Sequence, residues 1–351
     1  MARWAGPPPL LIAATVLGVV IAPAVSQADE GGVARQHGAG TSLTASLASG
    51  GRLNADEQPP AQGSDETPAQ PGQASDAPSG TSARREAAQP QLLGVASFNQ
   101  FRQLSVGQAR ADALALTERK GVAIIGWQEG YSFGPVYSLL RRKGWDTKRF
   151  TPERSERELA VSWRRSRFSL VGAVLHRVAP GVDDIVGRYP FGDRFVLRVT
   201  LRERATGREI SVINTHLPQA IEDLDRAGRW RETFNAARAR GQLERMTAIW
   251  RRAPGRWVIG TGDYNFDARS DARVRPLGGI SRRYAGTAVS TYASAGFGDI
   301  RPTHPTSQRY IDYVHVATAD IDAGRIAVLG HRTLNGLNSD HRPLIAWLKL
   351  S

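Results

Sequence analysis

Apolar and polar positions change character near residue 91. From there to the C-terminus, apolar runs of strand length alternate with turn-rich segments. Residues 92–98 and 122–127 are almost unbroken apolar runs and predict buried strands. Val106, Ala109, Ala113, Leu114 and Leu116 recur at helical spacing instead and predict a helix over 106–119. Further strands are predicted over 158–164, 168–177, 194–201 and 209–215, the last two joined by the turn Ala205-Thr206-Gly207. Residues 224–250 read as one long or broken helix and 256–260 as a strand, and 311–316, 325–329 and 344–348 supply the late strands. Many strands with few helices predict two packed sheets with helices outside, an α/β sandwich spanning 91–351.

The first 90 residues have neither period. Residues 10–25 form an apolar run of 16, short for a membrane span of ~20. Arg3 precedes the run and Ser26-Gln27-Ala28 follows it, so 1–28 reads as a secretory signal peptide and an uncleaved anchor is the alternative. Residues 29–90, rich in Gly, Ser, Ala, Gln, Pro and Asp, read as a disordered spacer, because they offer too little apolar surface to offset the ordering entropy. The expected location is therefore secreted. The chain has no cysteine, which excludes disulfides, thiolate metal sites, a cysteine nucleophile and a lipidated cysteine.

Charge separates the same regions. Residues 29–90 carry a net −4 and 91–351 a net +16 within a total of +13. A cationic domain suits a polyanionic partner, nucleic acid first and anionic lipid second. Of the 46 basic residues 42 are arginine, however, so compositional bias is a competing source of the excess.

Candidate chemistry lies where strands should end. Asn99 follows the first strand, Gln128-Glu129 the second, His216 the strand over 209–215, and Asp263 and Asn265 the strand over 256–260. Asp312 lies within Tyr310-Ile311-Asp312-Tyr313-Val314 of a late strand, and Asp340-His341 precedes the last. One such residue carries no information, but carboxylates, carboxamides and two histidines on one rim would form a rigid platform. The set suits hydrolysis of a phosphate ester. Glu129 could ligate a hard divalent cation, and His341 with Asp312 behind it could act as a base. His216 could donate to a phosphoryl oxygen or to the leaving group.

SFNQF, GWQEG, INTHLP, GTGDYN, YIDYVHV and NSDHRPL occur in the order of the motifs of the endonuclease/exonuclease/phosphatase superfamily, which 92–349 resembles. The resemblance implies a four-layered α/β sandwich, two mainly antiparallel sheets with outer helices, and Mg²⁺-dependent cleavage of phosphate esters, with Mn²⁺ as a substitute. It implies that Glu129 is a metal ligand and Asp340 a second contact, with Asn99 beside them. Asp263 and Asn265 would position water and phosphate, and Asp312 would pair with His341. His216 is similar to the histidine of the deoxyribonuclease I-like, sphingomyelinase and inositol-phosphatase branches. Arg194 would match an arginine that contacts substrate. A tyrosine common near 158–164 is absent, with Leu159 in roughly its place. His176, His304, His315 and His331 have no counterpart and are expected to be structural or at the surface.

The function expected is an exported, metal-dependent phosphodiesterase, a nuclease acting as a monomer without an obligate protein partner. A lipid or inositol-phosphate phosphoesterase is the alternative, with an inactive polyanion-binding module behind it. Residues 131–137 are a modest candidate for an apolar loop that would enter a lipid surface. If the leader is cleaved, the N-terminus of secreted protein begins at or near Asp29, and N-terminal sequencing that finds an intact leader would establish the anchor instead.

Overall fold

The computed structural model describes residues 91–181, 192–273, 278–298 and 300–351. The leader and spacer readings fall on residues outside these. In chain order the first half holds β1 (Gln91–Asn99), α1 (Val106–Thr117), β2 (Val122–Gln128), α2 (Gly134–Arg142), β3 (Trp145–Arg149), β4 (Ala160–Arg164), β5 (Phe168–Ala179), β6 (Arg194–Glu203) and β7 (Glu209–His216). A short ribbon, β8 (Glu222–Asp223) and β9 (Arg229–Trp230), leads into α3 (Phe234–Arg251) and β10 (Trp257–Asp263). Then come α4 (Ala268–Arg273), α5 (Gly279–Arg283), β11 (Ala288–Ser290), α6 (Thr291–Ala295), β12 (Asp312–Ala317), α7 (Thr318–Asp322), β13 (Ile326–Thr333) and β14 (Leu344–Leu350).

Two six-stranded sheets carry the fold, in the orders β13-β14-β1-β2-β4-β3 and β11-β12-β10-β7-β6-β5. Each is antiparallel except at its centre, where β1 runs parallel to β2 and β10 parallel to β7. Strands of a parallel pair end on the same rim. Asn99 lies opposite Gln128 in one sheet and Asp263 opposite His216 in the other, so both central pairs deliver polar residues to their rims.

The strands alternate as buried strands should. Leu93 and Val95 of β1 and Ile124 of β2 face the second sheet, whereas Ala96, Phe98, Ile125 and Trp127 face α1 and α2. On the far side Ala236, Ala239, Leu243, Met246 and Trp250 of α3 pack against the other sheet. The layers are therefore helix, sheet, sheet, helix. α1 begins at a reciprocal cap, with the Ser105 hydroxyl accepting from the Gln108 N–H and the Gln108 side chain accepting from the Ser105 N–H.

The two sheets are joined by polar contacts as well as by apolar packing. Asn214 of β7 donates across the gap to the carbonyls of Trp127 at 2.8 Å and Ala160 at 3.0 Å. Its own carbonyl accepts from Gln128 at 2.7 Å and from Thr261 at 3.0 Å. The Ser97 hydroxyl accepts from the Gly262 N–H at 2.8 Å. Gly126 makes this approach possible, since a Cβ there would overlap the Thr261 hydroxyl and crowd the Asn214 carboxamide.

Two expectations are corrected. The helix expected over 224–250 begins only at Phe234, capped by Thr233. Upstream, the Asp223 carboxylate accepts from the N–H groups of Asp225 and Arg226, and Gly228 takes a left-handed conformation, so the backbone turns instead of coiling. Residues 131–137 are not an apolar surface loop. Phe133, Val136 and Tyr137 are buried, and 134–142 form α2.

Substituting Gly126→Ala is expected to destabilise the protein by at least the ~1–3 kcal/mol typical of an overpacked interior. Thermal melting should read this as a midpoint lower by several degrees. An unchanged midpoint would show that the sheets can part at this point.

Candidate active site

All nine residues expected at the site lie at the rim where the parallel strands end, and Asp263 is the hub. Its Oδ2 accepts from Asn99 Nδ2 at 3.0 Å and lies 3.3 Å from His216 Nε2 and 3.8 Å from His341 Nε2. Its Oδ1 accepts from the Asn265 N–H at 2.9 Å. Asn265 takes a left-handed conformation, φ 49°, that carries its carboxamide back to the Leu217 carbonyl at 3.0 Å and to within 3.3 Å of His216 Nε2. A non-glycine residue held there is a feature that concentrates at functional sites.

Each histidine is backed by a carboxylate. His341 Nδ1 lies 2.7 Å from Asp312 Oδ2, and His216 Nδ1 lies 2.7 Å from Glu158 Oε1. Arg194 donates to the same Glu158 oxygen at 2.8 Å, so the residue expected to grip substrate is paired within the protein. Asp312 is wholly buried, and Asp263, Glu158, His341, His216 and Arg194 are nearly so.

Burial would strip the charge from these groups, but their neighbours restore it. Burial lowers His216, yet Glu158 and Asp263 together raise it to about 10. His341 is lowered by burial and raised by Asp312, Asp263 and Asp340, ending at about 9. Burial raises Glu158, but Arg194 and His216 override it and hold it at about 2. Asp263, raised by burial, is brought well below the carboxylate range by His216 and His341. Asp312 is the exception, because burial outweighs His341 and pushes it up. The two partners of the Asp312–His341 pair thus pull in opposite senses. The imidazole decides, since it also faces Asp263 and Asp340. The neighbouring carboxylates thus favour the protonated form of both imidazoles, and the imidazoles favour the ionised form of Asp263.

Glu129 and Asp340 lie on either side of Asn99. Glu129 takes φ 57°, and its Oε2 accepts from the Arg102 N–H at 2.9 Å. Asp340 follows Ser339, whose hydroxyl donates to the Asn99 carbonyl at 2.8 Å, and Asp112 of α1 holds that loop through the N–H groups of Asn338 and Ser339. Asp340 Oδ1 is buried without a hydrogen-bond partner. Among the described residues two compact donor sets could hold a cation, Asp263–Asp312–His341 and His304–Asp340–His341, and Glu129 belongs to neither.

No protein-family model matches the sequence, and no curated protein sequence does. Solved structures do match in shape. An endonuclease/exonuclease/phosphatase family protein from Bacteroides thetaiotaomicron superposes with a TM-score of 0.55 at 16% identity, covering 75% of this chain and 96% of that one. D. rerio TDP2 complexed with a single-strand DNA product gives 0.54 at 15% identity, covering 73% and 98%. A mannosyl-6-phosphatase from B. thetaiotaomicron gives 0.51 at 16% identity, covering 73% and 99%. The chain has the endonuclease/exonuclease/phosphatase fold.

Within that fold three residues at the site escaped the sequence reading. Glu158 sits in the charged run 153–158, where nothing in the sequence distinguishes this buried acid from Glu153 and Glu156. The one available signal was that His216 lacked an acid partner while an acid opened the strand predicted over 158–164. Tyr131 is the second, its hydroxyl donating to Glu158. Leu159, the residue near the expected tyrosine, is buried in the core. His304 is the third and corrects the expectation that it is merely structural. Its ring lies 4.9 Å from that of His341, with Nε2 3.8 Å from Asp340. His315 does stack in the core, against Tyr313, and His331 bonds Thr291 and the Gly296 carbonyl.

A histidine whose folded pKa exceeds its ordinary 6.5 stabilises the fold fully below that value, and loses its contribution as pH rises through the folded value. Chelator-treated protein should therefore lose unfolding free energy between about pH 7 and pH 10, first through His341 at about 9 and then His216 at about 10. Urea titrations across that window test it, and a flat profile in wild type, matching that of His216→Asn, would show that the imidazoles are not charged in the fold.

Proposed function

We propose that the chain is an exported, divalent-metal-dependent phosphodiesterase whose principal substrate is nucleic acid. The observation that carries the reading is the Asp263 carboxylate between two buried imidazoles, each backed by a carboxylate. Asp263 accepts hydrogen from an attacking water and turns its lone pair toward phosphorus, while Asn265 and Asn99 fix the orientation of that carboxylate. His341 and His216, in the protonated form, donate to the phosphoryl oxygens as negative charge builds on them. Asp312 and Glu158 hold the imidazoles in position and in the charged form.

The residues fit a hard cation. Glu129 and Asp340 supply oxygen, the donor type that Mg²⁺ and Mn²⁺ favour, and the orphaned Asp340 Oδ1 is an acceptor waiting for a partner. When bound there, the ion would polarise a phosphoryl oxygen and offset transition-state charge. His304 would add a nitrogen donor beside Asp340.

Nucleic acid is favoured over lipid by the +16 net charge of 91–351 and by burial of the apolar residues of 131–137. Similar folds include a TDP2 crystallised with a DNA product and a mannosyl-6-phosphatase, so the fold by itself leaves the ester class open. Export rests on the 1–28 leader.

Turnover of a DNA oligonucleotide should vanish in excess chelator and return with Mg²⁺ or Mn²⁺, with Glu129→Gln needing more metal. His341→Ala should lower kcat by ~10²–10⁴, and Asp312→Asn by less, as suits a positioned proton donor and its support. The wild-type rate should fall as pH rises through the alkaline range, as His341, held above the usual imidazole range by Asp312 and Asp263, loses its proton. A rate that climbs through that range would make His341 the base, and full activity in chelator would end the metal reading.

A further inference from the structure

A second concavity adjoins the active site and shares Tyr131 with it. It opens between the first turn of α2, β3 and residues 151–157, with a volume of about 800 Å³. Arg141, Arg149 and Arg157 line it, and the sole carboxylate of its lining, Asp146, is already bound by Arg165 at 2.9 Å.

Arg149 closes β3 with its guanidinium laid over the Tyr137 ring, 5.3 Å from the centroid. Its Nη2 makes one long contact, 3.4 Å, to the Tyr131 carbonyl, and Nε and Nη1 are buried without a hydrogen-bond partner. Arg157 is pinned through Nε to the Thr151 carbonyl at 2.9 Å. Burial, and then the charge of Arg157, depress the pKa of Arg149, so the neighbouring cation weakens the hold of Arg149 on its charge. Desolvating a charge without a counter-ion is unfavourable, and guanidinium forks are matched to the oxygens of a phosphate. The end of α2 adds to the same field. Gly134 and Pro135 line the cleft, and no side chain caps that helix start.

Tyr131 connects the two sites, with its hydroxyl on Glu158 and its carbonyl toward Arg149. We propose that the Arg141–Arg149–Arg157 cleft is a second phosphate-binding region, which holds successive backbone phosphates of a nucleic-acid strand flanking the phosphodiester in the active site. The Tyr131 ring on its wall offers a face on which a base can stack. The subsite rests on the phosphodiesterase reading and gives it a direction along the strand.

The test is equilibrium binding of a fluorescent single strand of ~12 nucleotides to the full chain carrying His341→Ala, across ~50–200 mM salt. Adding Arg149→Gln and Arg157→Gln should weaken binding ~10-fold and lower the slope of log Kd against log salt by ~1.4, the sum for two lost phosphate contacts on a single strand. Arg141→Gln, at an exposed position that cannot disturb the core, should lower the slope by ~0.7. Unchanged affinity and slope in both variants would overturn the subsite. Arginine-dependent binding of phosphatidylglycerol vesicles without arginine-dependent strand binding would overturn the nucleic-acid assignment. Turnover in the parent chain is read separately. Cleavage with no arginine dependence sinks the subsite alone, and arginine-dependent binding with no cleavage sinks the enzyme reading alone.

Discussion

The structure depends on one buried carboxamide. Asn214 stands between the sheets, and its donors and acceptor are all satisfied across or within the gap, by the carbonyls of Trp127 and Ala160 and by Gln128 and Thr261. A buried amide left unpaired costs about 1–3 kcal/mol per group, so any sliding of one sheet over the other would forfeit several such terms together. Apolar packing tolerates a range of offsets, whereas these bonds admit one. That single offset sets the rim bearing Asn99 and Glu129 against the rim bearing His216 and Asp263.

The rim then becomes a place where charge is concentrated in a dry setting. Three carboxylates, Glu158, Asp263 and Asp312, meet two imidazoles and the Arg194 guanidinium, nearly all out of water. Buried ion pairs of this kind are weak evidence for stability, because desolvation offsets much of the attraction. Their arrangement makes more sense as preparation for chemistry. Dipoles and charges that are already oriented need no reorganisation when charge appears on a substrate. Left-handed backbone at Glu129 and Asn265 belongs to the same economy, since local strain is tolerated where a rigid frame holds it.

Much of this was legible in the chain. The central strands could be read because both of their faces are buried, so their residues form nearly continuous apolar runs, and each run ended in the polar residue that reached the rim. The helix boundary near Thr233 was not, because Asp223 and Gly228 override helical spacing through backbone contacts that spacing does not encode. α2 and β3 were missed for a different reason. They are short, and α2 opens with Gly134-Pro135, which reads as a turn. At the site, Asp312 could be matched to His341 from motif order, but Glu158 could not be matched to His216, since it is the burial of one acid among several in 153–158 that gives it its role. His304 reached the site through a loop whose path no periodicity announces.

The account turns on Asp263 being the ionised group that orients and activates water between two protonated histidines. The most direct measurement is the turnover of a DNA phosphodiester by Asp263→Asn at saturating Mg²⁺, in protein whose circular dichroism matches wild type. The side chain keeps its shape and its contact with Asn265 while losing the charge. The account predicts a loss of kcat of ~10³ or more, within the range that a positioned acid–base group supplies together with its electrostatic support. Turnover within a few-fold of wild type would contradict it, and would place the proton acceptor elsewhere.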